Sequence, residues 1–159
     1  MTESGFPQTP FEASGSDRPR DPINDRNESH EIERTGQPRG VLVVEDDFLI
    51  AMQAEAALLD AGLEVVGLAA TAEEALAMAT QQRPALVVMD IRLAGTRDGI
   101  EAAGDLFRAF GLRCVFATAH DDQQTRNRAA PYAPLGWLAK PYTMASLVGL
   151  VREVLSTQD

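Results

Sequence analysis

Val41-Leu42-Val43-Val44 is an uninterrupted apolar run, and three acids, Glu45-Asp46-Asp47, follow it directly. A short run rich in β-branched valine is typical of a strand that is buried on both faces, as in a parallel sheet covered by helices. The next stretch, Phe48 to Ala61, is rich in alanine and leucine and predicts a helix that ends at Gly62. We therefore interpret 41–61 as the first strand–helix unit of an α/β fold.

Four further units of this kind follow along the chain. The capping-box spacing of Thr71-Ala72-Glu73-Glu74 opens the second helix. The fourth helix, 121–130, has almost no apolar stripe, so tertiary packing contributes little to holding it. Five βα units in about 118 residues predict a parallel sheet with helices on both faces. The predicted strands are 41–44, 63–68, 86–89, 114–117 and 136–139, and the predicted helices are 48–61, 71–82, 99–110, 121–130 and 143–155.

Residues 1–38 differ in composition from the rest of the chain. They are rich in Gly, Pro, Ser, Asn and Asp, carry mixed charge and contain few aliphatic side chains, so we predict a flexible N-terminal tail. One domain is predicted at 39–156. Because little sequence follows Leu155, we expect no output domain, and we expect any signal to leave through contacts with other proteins.

Bulk composition excludes several classes of function. The net charge of −10 argues against nucleic-acid binding, which needs clustered Lys and Arg. No apolar stretch is long enough for a membrane span, and the N-terminus does not resemble a secretory signal. The single cysteine, Cys114, cannot form an intramolecular disulfide. We therefore expect a cytoplasmic protein that binds neither DNA nor membrane.

Charged and polar side chains stand at the predicted carboxyl ends of four strands, where open parallel sheets bind ligands. Several carboxylates at one sheet edge repel each other, unless their pKa values rise or a cation lies among them. Hard oxygen ligands with open positions suit Mg²⁺. The residues at these strand ends are Glu45, Asp46, Asp47, Asp90, Thr118 and Lys140.

Lys140 is the only lysine in the chain, against thirteen arginines. A compact ammonium on a flexible stem can follow a phosphoryl group, whereas a planar guanidinium demands bidentate geometry. A lone lysine at a strand end therefore indicates a functional role.

The motifs V-V-E-D-D, M-D-I-R-L, F-A-T-A-H and W-L-A-K-P-Y follow one another at strands one, three, four and five. In order and spacing they resemble the receiver domain of two-component response regulators, over roughly 40–155. This resemblance implies a doubly wound, flavodoxin-like sheet of five parallel strands in the order 2-1-3-4-5.

The resemblance also implies roles for individual residues. Asp90 resembles the phospho-accepting aspartate, Thr118 the switch hydroxyl, and Lys140 the characteristic lysine, with a cis bond to Pro141. Trp137 stands where the family places a rotating aromatic that is coupled to the threonine; a plain core tryptophan is the alternative. The ligands implied for Mg²⁺ (or Mn²⁺) are Glu45, Asp46, Asp90 and the backbone carbonyl of Arg92.

By the same resemblance, the phosphoryl donor is a sensor histidine kinase or a phosphotransfer protein. The phosphorylated form is expected to act on a downstream protein, with a possible homodimer through the fourth helix, fifth strand and last helix. The chain is not expected to be an enzyme, beyond catalysing its own phosphorylation and dephosphorylation. A phosphate sink or relay intermediate and a degenerate scaffold receiver that does not switch are the alternatives.

Two other classes of protein fit the residues less well. Phosphatases of the haloacid-dehalogenase type need a second acid two residues after the nucleophile, where this chain has Arg92. A flavin or nucleotide site would place a phosphate next to Glu45 and Asp46, which repel it.

One motif departs from the family pattern. F-A-T-A-H resembles a motif of stand-alone α-proteobacterial receivers, Phe-Ala-Thr-Gly followed by an aromatic residue, but Ala119 and His120 replace the last two. This puts the geometry of the switch in doubt more than the phosphorylation. A proton-relay role for His120 and simple packing of a loop histidine both stay open.

Overall fold

Five short strands and five α-helices alternate along residues 40–158, the part of the chain that this computed structural model describes. The tail predicted at 1–38 lies outside these residues. A 3₁₀ turn, Ala130–Tyr132, follows the fourth helix. The strands are β1 (Val41–Val44), β2 (Val65–Ala69), β3 (Leu86–Asp90), β4 (Cys114–Thr118) and β5 (Gly136–Ala139); the helices are α1 (Phe48–Asp60), α2 (Ala72–Gln82), α3 (Gly99–Phe110), α4 (Gln123–Ala129) and α5 (Met144–Thr157).

The strands form one sheet in the order β2-β1-β3-β4-β5, and every pair of neighbours is parallel. Both the fold class and the strand order that the sequence predicted are confirmed. The register of the sheet aligns the carboxyl ends of the strands, because Val44 pairs with Met89 and Thr118 pairs with Ala139.

The sheet separates two apolar cores because side chains alternate between its faces. Leu42 and Met89 point to the face that α2 and α3 cover, where Ala75 and Leu106 pack. Val43 and Val88 belong to the core on the opposite face, which α1 and α5 cover. Both faces of β1 and β3 are therefore buried, as their continuous apolar runs predicted.

Each helix begins at a residue whose side-chain oxygen accepts a backbone N–H of the first turn. Asp47 accepts from Leu49 and Ile50 at the start of α1, and Thr71 accepts from Glu74 at the start of α2. The cap at Thr71 was predicted from the capping-box spacing of the sequence. The other capping residues are Asp98, Asp122 and Thr143.

The structure shifts the bounds of several predicted elements by one or two residues, and the second strand and the fourth helix show the physical reasons. The second strand begins at Val65 instead of Leu63, because the Leu63 N–H still bonds the Leu58 carbonyl at the end of α1. The fourth helix is shorter than predicted at both ends. Asp122 caps it, and Pro131 supplies no N–H to continue its ladder, so the chain tightens into the 3₁₀ turn.

Within residues 40–158, no helix combines the length and the apolar character needed to cross a bilayer. The predicted cytoplasmic location and the predicted absence of DNA binding stay predictions.

Candidate functional site

The carboxyl ends of β1, β3, β4 and β5 bring the predicted site residues to one edge of the sheet. Glu45 follows Val44, and Asp90 follows the residue paired with Val44, so the two acids stand side by side. Both are buried, with 6% and 4% of their surface exposed. Asp46, the next residue after Glu45, is exposed. Strand register therefore accounts for a carboxylate cluster between residues far apart in sequence.

Lys140 reaches this cluster from the end of β5. Its Nζ atom lies 3.0 Å from Oδ1 of Asp90 and 3.7 Å from Oε2 of Glu45. The peptide bond to Pro141 is cis, as predicted. One ammonium thus faces two buried carboxylates, which leaves negative charge uncompensated.

The pKa of Glu45 shows this surplus of negative charge. Burial first, and then the neighbouring Asp90 carboxyl as a hydrogen-bond partner and as a like charge, together raise the pKa of Glu45 from 4.5 to about 8. The charge of Lys140 and the backbone N–H of Asp47 oppose this rise without cancelling it. At neutral pH, a proton on Glu45 therefore takes the place of a second cation.

The lysine and a nearby tyrosine respond to the same cluster. Burial lowers the pKa of Lys140, but the hydrogen bond and the charge of Asp90, helped by Glu45, outweigh it and hold that pKa above its ordinary value. Burial also raises the pKa of the Tyr142 hydroxyl, and the Glu45 charge adds to it. Lys140 thus stays charged beside Asp90 at physiological pH.

The donor set suits a divalent metal ion. Glu45, Asp46 and Asp90 each offer one carboxylate oxygen, and the three oxygens lie within 4.8 Å of one another. All are hard ligands, and the raised pKa of Glu45 marks a place where added positive charge is favourable. The residues present therefore fit Mg²⁺ or Mn²⁺.

Arg92 lies beside Asp90 as predicted, although the contact seen is not the one predicted. Its backbone N–H donates to Oδ1 of Asp90 at 3.3 Å. The role of the Arg92 carbonyl as a metal ligand stays a prediction.

A cavity of about 260 Å³ opens beside Asp90 at this edge of the sheet. It has room for a phosphoryl group next to the Asp90 carboxylate and the Lys140 ammonium. The loops after β3 and β4, the start of α4 and the end of β5 supply its walls. The lining residues are Asp90, Ile91, Arg92, Thr118, Ala119, His120, Asp122, Thr125 and Lys140.

The Thr118 hydroxyl is engaged with the loop that follows β4. It accepts a hydrogen bond from the His120 N–H at 3.0 Å and donates one to the His120 carbonyl at 3.1 Å. The threonine is itself buried, whereas His120 is exposed. Thr118 was predicted from the sequence but its partner was not, although the hydroxyl of a threonine at the start of a loop commonly bonds the backbone two residues further on.

Trp137 is half-buried on β5, where it stacks on Phe116 of β4 with the ring centroids 5.0 Å apart. The two residues are paired in the register of the strands. The guanidinium of Arg126 also lies over the Trp137 ring, with Cζ 5.0 Å from the centroid. Trp137 is thus partly a core residue, and its role in a switch stays a prediction.

Gly99 fixes the position of Asp90 from the start of α3. A Cβ atom at Gly99 would lie 2.0 Å from the Asp90 carbonyl oxygen, closer than any real contact. The Gly99 N–H also donates to the Ile91 carbonyl at 2.7 Å. Glycine at this position therefore lets α3 begin directly against the backbone of Asp90, a constraint that the sequence analysis missed.

Comparison with known proteins agrees with this arrangement. The sequence profile of the response regulator receiver domain matches residues 41–152. The transcriptional regulatory protein PdtaR of Mycobacterium tuberculosis is 33% identical over 119 residues, which cover 75% of this chain and 58% of that protein. The phyllosphere-induced regulator PhyR of Methylorubrum extorquens is 34% identical over 120 residues, covering 75% of this chain and 44% of that protein. The chain thus spans about half the length of these relatives.

Solved structures of receiver domains superpose on the described fold. The signal receiver domain of a modulated diguanylate cyclase from Desulfovibrio desulfuricans has a TM-score of 0.68 at 34% identity, covering 77% of this chain and 97% of that one. The receiver domain of PhyR from Erythrobacter litoralis has a TM-score of 0.65 at 28% identity, covering 75% and 91%. From its sequence match, its sheet order and the composition of its strand ends, this chain belongs to the response regulator receiver domain family.

Proposed function

We propose that Asp90 accepts a phosphoryl group from a phosphohistidine on a partner protein, and that this switches the domain between two states. The observation that carries the proposal is the setting of Asp90. It is a buried carboxylate at a cavity mouth, with the Lys140 ammonium at 3.0 Å and two further carboxylates able to share a metal ion with it.

Family membership supplies the general context. Receiver domains belong to two-component systems, bind Mg²⁺ through acidic residues, and interact with kinases or phosphotransfer proteins and with downstream targets.

The transfer itself is an in-line displacement at phosphorus. An Asp90 carboxylate oxygen forms the new O–P bond while the N–P bond of the donor breaks. The electron pair of the N–P bond stays on the imidazole nitrogen of the donor. Lys140 bonds an oxygen of the transferred group and holds it for attack. Most of the catalysis is then positioning and charge stabilisation.

The metal ion would be held by Glu45, Asp46, Asp90 and the backbone carbonyl of Arg92. When bound, Mg²⁺ (or Mn²⁺) supplies positive charge against the phosphoryl oxygens. The chain would catalyse only its own phosphorylation and its own dephosphorylation, in which water cleaves the acyl phosphate. The Thr118 hydroxyl would break its two hydrogen bonds to the His120 backbone and turn to a phosphoryl oxygen.

Exposed apolar side chains on α1 offer a surface for the donor protein. Phe48 is 69% exposed and Leu49 is 71% exposed, directly after the acids of the site, and Met52 lies one turn further on. Exposed acids, Asp46 and Asp47, flank this surface. These acids would repel each other if two copies of this chain met at this surface. The partner that fits is therefore a helix of the donor protein, with an apolar ridge and basic side chains on either side of it.

An NMR titration tests the proposal. ¹⁵N-labelled protein is titrated with Mg²⁺ and then with beryllofluoride, an analogue of a phosphoryl group. We expect the largest amide shift changes at the four strand ends and in the loop after β4. Changes that are absent, or that spread evenly over the surface, would contradict the proposal.

A further inference from the structure

Arg126 of α4 connects the loop after β4 to the aromatic ring on β5. Its guanidinium carbon lies 5.0 Å from the centroid of Trp137, in the range of a cation–π contact. No function was predicted for this arginine from the sequence.

The guanidinium is also held by an acid of that loop. Nε and Nη2 of Arg126 donate to the two carboxylate oxygens of Asp121 at 2.5 and 2.7 Å. Such a bidentate pair restricts the orientation of the guanidinium plane more than a single hydrogen bond does. Asp121 therefore decides where the cation stands over the Trp137 ring.

Asp121 belongs to the same short loop that the Thr118 hydroxyl holds. That hydroxyl makes both of its hydrogen bonds to the backbone of His120, the residue before Asp121. Contacts thus run without a gap from Thr118 through the loop to Asp121, then to Arg126, and finally to Trp137.

Little else holds α4 in place. Of its seven residues only Ala129 is buried, and a second ion pair joins Arg128 to Asp98 at the start of α3, with N···O 2.7 Å. A helix fastened mainly by exposed polar contacts moves at low cost when its preceding loop moves. Arg126 would then move with the loop.

We propose that Arg126 is a positioning residue of the switch, which covers Trp137 while Thr118 bonds His120 and leaves the ring when Thr118 turns to a phosphoryl group. This rests on the proposed phosphorylation of Asp90 for its second half. The first half, that Arg126 covers the ring in the free protein, stands on the contacts alone.

Trp137 is the only tryptophan of the chain, so its fluorescence reports on this ring alone. The experiment measures acrylamide quenching of the full chain, free and with Mg²⁺ and beryllofluoride. It compares the parent with Arg126→Gln, with Asp121→Asn, which frees the guanidinium from its acid, and with Arg128→Gln. The last variant is the matched control, because Arg128 lies on the same helix in an ion pair of its own.

In the free protein, we expect quenching to be roughly twofold stronger in Arg126→Gln than in the parent, as loss of a weak exposed cation–π contact implies. Asp121→Asn should change quenching in the same direction, and Arg128→Gln should match the parent. With beryllofluoride the difference between Arg126→Gln and the parent should disappear. Equal quenching of these two proteins in the free state, or an undiminished difference with beryllofluoride bound, would overturn the inference.

A failure of the proposed function is recognised separately. Parallel NMR spectra of the parent show whether beryllofluoride binds at the strand ends at all. If it does not bind, the proposed function fails, and the quenching of the free proteins still decides whether Arg126 covers Trp137. If it binds and Arg126→Gln quenches like the parent in both states, only this inference fails.

Discussion

The ammonium of Lys140 lies 3.0 Å from Oδ1 of Asp90, where it provides the ion-pair partner of a carboxylate that is 4% exposed. It also faces Glu45, so one ammonium offsets the negative charge of two buried carboxylates at this edge of the sheet. Removing it leaves two buried carboxylates without a cation, whereas a bound metal ion would relieve the same imbalance.

Replacing Lys140 by Met should slow phosphorylation by acetyl phosphate by about a hundredfold, the order seen when one preorganised donor to a developing charge is lost. It should also raise the pKa of Glu45 further, since the charge of Lys140 opposes that rise. Intact-mass time courses measure the rate. Lys140→Arg, which keeps the charge but changes the geometry, should fall between the two; a Met variant as fast as the parent would remove Lys140 from the mechanism.

The apparent affinity for Mg²⁺ should depend on pH through Glu45. Its pKa is raised from 4.5 to about 8, and a metal ion needs the carboxylate form. Affinity should therefore rise by up to about tenfold per pH unit below pH 8 and level off above it. Calorimetric titrations between about pH 6 and about pH 9, which bracket the Glu45 pKa of about 8, measure the affinity for Mg²⁺. Glu45→Gln should bind more weakly and lose the pH dependence; an equal slope in this variant would assign the proton elsewhere.

The raised pKa of Glu45 also makes the stability of the metal-free protein depend on pH. A group whose folded-state pKa is raised contributes stability that is full below its unfolded value, here 4.5, and is lost as the pH rises through about 8. We expect thermal stability without metal to decline over this interval because of Glu45. Saturating Mg²⁺ should restore most stability at the alkaline end. Melting curves of the parent and Glu45→Gln separate this contribution from other titrations.

Leu49→Glu should impair phosphorylation by a protein donor and spare phosphorylation by a small one. The substitution places a charge in the exposed apolar surface on α1, which is next to the acids of the site but outside the cavity lining. The assay compares a phosphorylated histidine phosphotransfer protein that labels the parent with acetyl phosphate. Leu59→Glu is the control, because Leu59 is 53% exposed at the far end of the same helix. Equal losses with both donors would show damage to the site itself.

Gly99→Ala should disturb the site, whereas Gly149→Ala should not. The new Cβ would meet backbone atoms of Asp90 and Ile91, and such overpacking costs about 1–3 kcal/mol. A Cβ at Gly149, in the middle of α5, meets nothing within 4 Å, so alanine there should stabilise the fold by roughly 0.5–1 kcal/mol. Denaturant unfolding gives both values, and Mg²⁺ titration shows whether Asp90 has moved. Full Mg²⁺ affinity in Gly99→Ala would contradict the positioning role of this glycine.

Local signals in the sequence were enough to predict the parallel α/β fold and the carboxylate cluster, whereas the strand order was predicted from the resemblance to receiver domains. Apolar runs of four or five residues defined β1 and β3, and parallel strands necessarily bring their carboxyl ends together. Glu45, Asp90 and Lys140 could therefore be grouped before any coordinates were considered.

Contacts that depend on loop paths could not be predicted in the same way. The bond of Thr118 to the backbone of His120, and the clamp of Asp121 on Arg126, depend on the turn after β4. Neither pair lies within a single helix or strand, so hydrophobic periodicity carries no signal for it. The stack of Trp137 on Phe116 is an intermediate case, since it follows from the register once β4 and β5 are paired.

Asp90 is the residue on which the whole account depends, and intact-mass measurement after incubation with acetyl phosphate and Mg²⁺ tests it most directly. The parent and Asp47→Asn, a nearby acid that caps α1 and lies outside the carboxylate cluster, should both gain the mass of one phosphoryl group. Asp90→Asn should gain none, and chelation of the metal should suppress the gain in the parent and in Asp47→Asn. A parent that gains no mass, or an Asp90→Asn variant that gains as much as the parent, would contradict the assignment of Asp90 as the phosphoryl acceptor.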